Sequence, residues 1–128
     1  MIQMKYYIDK QDKYSILELN EEKLDASISP NLKSEMVTLN AEGIRSVVLD
    51  MSKVKYTDSS GLSAILVAHR LCKDSGGTLA LAGVSEHTLK LLRISQLDNV
   101  LTIMPTRQEA VDAVMLIDLE NELNSDED

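Results

Sequence analysis

The sequence predicts a single α/β domain built on a mixed sheet, antiparallel at its opening hairpin and parallel afterwards. Three observations carry this. Short β-branched runs alternate with longer stretches rich in helix formers, the order expected of βαβ units. Residues 44–51 are apolar at the consecutive positions Val47, Val48 and Leu49, the pattern of a strand covered on both faces. A chain of 128 residues that is 44% hydrophobic supports one core and leaves no room for a second.

Taken in order, residues 5–8 and 14–19 flank the polar stretch 9–13 and read as the opening hairpin. Tyr14 and Ile16 lie on one face of the second strand, Leu17 and Leu19 on the other. A polar loop, 20–25, precedes Ser29-Pro30, where Ser29 is expected to cap a helix that begins at Pro30. Leu32, Met36 and Leu39 recur at helical spacing, and residues 40–43, ending in Gly43, supply the stop. The doubly covered strand 44–51 follows.

After the turn Asp58-Ser59-Ser60 comes a helix whose wide apolar surface, Leu62, Ala64, Ile65, Leu66, Val67, Ala68 and Leu71, implies deep burial. Gly76-Gly77 ends that helix, and residues 78–82 form the next central strand. Ser85 to Thr88 opens a short helix carrying Leu89, Leu92 and Ile94. Residues 100–103 form the last strand, and Thr106 caps a final helix with Ala110, Val111, Val114 and Met115 facing inward. The expected order is β-β-α-β-α-β-α-β-α. The domain should occupy residues 1–117, with 118–128 fraying into a solvated acidic tail.

Composition excludes several functions. The net charge is −8, but Asp118, Glu120, Glu122, Asp126, Glu127 and Asp128 crowd the last eleven residues, so the body is nearly balanced. With no basic cluster and no Trp or Phe, neither a nucleic-acid surface nor an anionic membrane surface is expected. Cys72 is the only cysteine, which excludes an internal disulfide and any multi-cysteine metal site. The amino-terminal residues lack the apolar core of a signal peptide, and no run reaches membrane-spanning length, so a cytoplasmic location without direct membrane insertion is expected.

The chemistry centres on Thr57-Asp58-Ser59-Ser60-Gly61-Leu62, a strand-to-helix junction with a serine at its tip. On its own residues the turn fits simple helix capping by Asp58 and Ser59. A phosphate on a serine in the first turn would also be tolerated, because helix amides there are unpaired and the dipole is positive. Hydrolase chemistry is disfavoured. Thr57 stands where a Gly-x-Ser-x-Gly elbow needs its first glycine, His69 reads as a packed or rim histidine, and His87 as an exposed one. Cys72 reads as a small apolar filler, and Gly76-Gly77 follows a helix without the Gly-Lys-Ser/Thr of a phosphate loop. No catalytic residue, metal or cofactor is assigned.

Residues 47–51 followed by 56–62 resemble the STAS family, whose name joins sulfate transporters and anti-sigma-factor antagonists. Leu24-Asp25 with Ser29-Pro30 is similar to that family's loop before its first helix, Gly76-Gly77-Thr78-Leu79 to its turn into the fourth strand, and residues 89–97 to its third helix. Glu22 departs from the family, which often has Gly there. In stand-alone members the resemblance implies that the first serine of the turn accepts phosphate from a serine kinase that is itself the anti-sigma factor. That serine is Ser59, with Ser60 second in line. Asp25, Asp58, Ser59, Ser60 and Gly61 would then form the partner-binding surface, and a serine phosphatase would be a further partner. The alternative implied by the same family is an accessory subunit of a membrane transport complex. A nucleotide-binding or hydrolytic protein is a third class.

Overall fold

The computed structural model describes residues 3–125. Strands β1 (Tyr6–Lys10) and β2 (Ser15–Leu19) pair antiparallel, so the hairpin forms as its alternation predicts. The two-residue strand β3 (Lys23–Leu24) leads to helix α1 (Ser29–Ala41), then β4 (Val47–Asp50) and a second two-residue strand, β5 (Tyr56–Thr57). Helix α2 (Ser59–Asp74), β6 (Leu79–Ala82), α3 (Glu86–Ile94), a 3₁₀ turn at Leu97–Asn99, β7 (Thr102–Met104) and α4 (Arg107–Ser125) complete the chain. The main sheet runs β1-β2-β4-β6-β7, parallel from β2 onward, while β3 and β5 form a separate parallel pair.

Alternation along each strand sorts side chains between two layers. Leu17, Leu19, Val47, Leu49, Leu79 and Leu81 face α1, α2 and α3 in the larger core. Ile16, Val48, Ala80 and Ala82 face α4, meeting Ala110, Val111 and Val114. Central strands covered on both sides thus account for the unbroken apolar run at Val47–Leu49. Cys72 is buried within the larger core, and burial pushes its thiol up to about 12, as suits an inert filler.

Four expectations are corrected. Ser29 does not cap α1: Ile28 occupies the cap, and the Ser29 hydroxyl donates to the Asp25 carbonyl at 2.6 Å. A reverse turn that needed that hydroxyl won over local capping. Helix α4 does not fray at Asp118 but continues to Ser125. Its anchor is Asp118, which accepts from the Ser46 hydroxyl at 2.5 Å and the Thr78 hydroxyl at 2.9 Å, joining the helix to the segments entering β4 and β6. Residues 126–128 of the expected tail lie outside the described residues. Met115 is 45% exposed and so does not face the core with its neighbours. The last strand begins at Thr102, because the 3₁₀ turn places Val100 at the surface.

Candidate functional site

Parallel strands deliver their carboxyl ends to one pole of the sheet, and there the junction after β5 turns into α2. Asp58 is the N-cap, with extended backbone and a carboxylate that accepts from the Gly61 amide at 2.9 Å. Ser59 is the first residue of α2 and is exposed, Ser60 is half-buried, and Gly61 is buried. The hydroxyl of Ser59 therefore stands on the surface at the positive end of a sixteen-residue helix.

Gly61 explains how a second loop reaches this point. β3 lies parallel to β5, Leu24 opposite Thr57, and the Asp58 amide donates to the Leu24 carbonyl at 3.2 Å. A Cβ built on Gly61 would overlap that carbonyl oxygen and crowd the Thr57 methyl. Only a residue without a side chain lets the β3 backbone lie directly on the first turn of α2. The next residue along that loop is Asp25, so the structure brings the loop carrying Asp25 beside Asp58 and Ser59.

Asp25 accepts from the Ser27 hydroxyl at 2.5 Å and from the Ser27 amide at 3.0 Å. These two bonds hold its carboxyl below the usual range, Lys23 adding a smaller push in the same direction. The carboxylate is thus ionised and fixed in a loop turn. Ser59, Ser60, Asp58, Gly61 and Asp25 all fall on one pole.

Sequence reasoning missed the other wall of this surface. The exposed ring of Tyr56 packs against His87 of α3 with centroids 5.0 Å apart and planes tilted by 30°. Behind them the hydroxyls of Thr57 and Thr88 share a buried hydrogen bond of 2.8 Å, and Ser85 caps α3 by accepting from the Thr88 amide at 3.2 Å. Thr57 therefore joins β5 to α3. The only local signal was Tyr56 standing next to the turn, and nothing in the sequence pairs it with a histidine thirty-one residues away.

Among the described residues neither histidine forms a hydrogen bond to the Ser59 hydroxyl. His69 lies ten residues along α2, about 15 Å up the helix axis, and His87 is stacked on Tyr56. Among the described residues no cluster of three or more His, Cys, Asp or Glu side chains is arranged to hold a metal ion, and no helix is long and apolar enough to cross a membrane. What the site presents is an exposed hydroxyl, two carboxylates and a stacked aromatic pair.

Comparison with known proteins agrees with this architecture. The STAS domain family model matches residues 6–110. An anti-sigma-B factor antagonist of Bacillus subtilis is 29% identical over 80 residues, spanning 62% of this chain and 72% of that protein. An anti-sigma factor antagonist from Mycobacterium paratuberculosis superimposes with a TM-score of 0.76 at 21% identity, over 88% of this chain and 95% of the other. The Bacillus cell-fate determinant SpoIIAA, solved in its phosphorylated form, superimposes with a TM-score of 0.68 at 20% identity, over 86% and 99%. Both superpositions share the fold described above, and the family match takes in the whole of the α2 junction: this chain belongs to the STAS domain family.

Proposed function

We propose that this protein is an anti-sigma factor antagonist, a non-catalytic binding module switched by phosphorylation of Ser59. Unphosphorylated, it captures an anti-sigma factor that is also a serine kinase. Phosphorylated, it lets that partner go, and a serine phosphatase resets it. The observation that carries the reading is the exposed Ser59 hydroxyl at the first position of α2, beside the Asp58 cap and the Asp25 loop. The names of its relatives support the same role, and SpoIIAA, which shares the fold, has been solved in phosphorylated and unphosphorylated forms.

The transfer itself is simple in atoms. The Ser59 Oγ attacks the γ-phosphorus of ATP held by the kinase. An Oγ–P bond forms, the bond to the ADP oxygen breaks, and the hydroxyl proton passes to a base of the kinase. The kinase supplies the catalysis, and this chain supplies the hydroxyl.

The product adds roughly −1.5 to −2 charge at neutral pH. The helix terminus accommodates that anion, so the fold survives. A partner seated on Asp58 and Asp25 meets a third negative group, and like-charge contact there costs several kcal/mol. About 3 kcal/mol already lowers affinity more than a hundredfold. One covalent event is enough for an on/off switch.

The test is capture of the cognate kinase by the unsubstituted chain, by Ser59→Ala and by Ser59→Asp. Ser59→Ala should be retained and should take up no phosphate from Mg-ATP, and Ser59→Asp should be lost from the complex. Equal retention of both variants, with no phosphate on Ser59 or Ser60 of the unsubstituted chain, would refute the proposal.

A further inference from the structure

The far end of the sheet carries a second unpartnered surface. Met115, Leu116, Leu119 and Leu123 of α4 are 45%, 57%, 52% and 57% exposed. At 3.6 residues per turn the four fall within about 100° of the helix circumference, one continuous apolar stripe. Ala110, Val111 and Val114 occupy the other side of the helix and pack on the sheet. The stripe begins just beyond residue 110, where the family match ends.

Beside it runs a groove of about 850 Å³, between α4 and the loops that enter β2 and β4, with Tyr14 and Ile44 on the wall opposite Met115, Leu116 and Leu119. These loops lead into the amino ends of the parallel strands, so the groove and Ser59 sit at opposite poles.

Charge selects the occupant. Residues 108–125 contain no Lys or Arg, and Asp112, Glu120 and Glu122 stand at the start and along both edges of the stripe. Asp12 joins Glu122 on the groove lining, against Lys13 and Arg45. A second copy laying its own α4 on this stripe would set acid against acid. We infer that the stripe and groove bind an amphipathic helix of a partner protein, apolar on one face and rich in Lys or Arg along its flanks. The apolar stripe provides the buried area, and the acidic edges orient the incoming helix. Occupation of this pole leaves the Ser59 surface open, so the chain holds two partners at once.

The full chain, labelled with ¹⁵N, is titrated with a synthetic helix of about five turns, ~18 residues, bearing Leu at i, i+3, i+4 and i+7 with Lys elsewhere. Amide shifts should cluster at residues 115–123, 11–14 and 43–46 and leave 58–61 unmoved. Affinity should fall at least about tenfold in the Leu116→Ser/Leu119→Ser double variant and fall with added salt, while circular dichroism shows the fold intact. A peptide of the same composition scrambled to break the stripe should bind correspondingly weakly. Equal binding of the scrambled peptide, or of the double variant, would overturn the inference. So would shifts centred on 58–61, or sedimentation of the chain alone as a dimer that the double variant dissociates.

Discussion

Two residues, Asp58 and Gly61, hold the site in shape, and each does so for a reason that substitution can isolate. Asp58→Ala removes the cap on the Gly61 amide and should cost about 0.5–2 kcal/mol in urea unfolding, whereas Asp58→Asn, which keeps an accepting oxygen, should cost less. Gly61→Ala places a methyl group against the Leu24 carbonyl and should destabilise by about 1–3 kcal/mol or push the Asp25 loop away from α2. An alanine variant with unchanged stability and unchanged loop resonances would contradict that account. The cap was legible because its donor lies three residues from its acceptor, within one turn. Ser29 looked equally legible and was misread, since the competing acceptor was the carbonyl of Asp25 and its turn is invisible to cap rules.

Helix α4 shows what periodicity misses. Its apolar positions Ala110, Val111 and Val114 were readable, but its continuation past Asp118 was not, because the anchor depends on Ser46 and Thr78, which lie 72 and 40 residues away in sequence. Composition made Asp118 look like the first residue of a solvated tail, and geometry makes it the pin of the last helix. Asp118→Ala should leave the buried Ser46 hydroxyl and the half-buried Thr78 hydroxyl without their acceptor, at a cost of about 1–3 kcal/mol. Hydrogen exchange should quicken first in residues 115–125 and leave the α2 amides protected. Uniform exchange across both helices would contradict the local role. The short pair β3 and β5 was also missed, since two residues carry too little pattern to read, yet it brings the Asp25 loop to Ser59.

At the scale of the whole molecule, Arg107 ties three elements across the sheet's carboxyl end. Its Nη2 donates to Asp50 at 2.7 Å and to Glu18 at 3.0 Å, while Asp50 also accepts from the Ser52 amide at 2.9 Å. Burial pushes the Asp50 carboxyl up, but the Ser52 amide and the Arg107 guanidinium outweigh it and leave the group below its ordinary value. A carboxyl that binds protons less readily when folded contributes stability fully above its unfolded value of about 4 and loses it as pH falls through the folded value. Asp50→Asn should therefore show a shallower loss of stability below about pH 4 than the unsubstituted chain, and parallel acid limbs would contradict this. The layer order and the mixed sheet were legible as a whole because Val47–Leu49 and the hairpin alternation are local signals. The ion pairs were not, because Arg107 and Asp50 lie 57 residues apart in sequence and meet only through the sheet.

The central claim of the proposed function is that a phosphate at Ser59 would change a surface and not a fold. Its most direct test is fragment mass spectrometry of the protein taken from its native cell, combined with thermal unfolding of the two forms once separated. The expected result is a single added phosphoryl group on the peptide bearing Ser59, with unfolding temperatures of the two forms nearly equal. Phosphate absent under every growth condition, or found only on residues far from the α2 junction, would contradict the account.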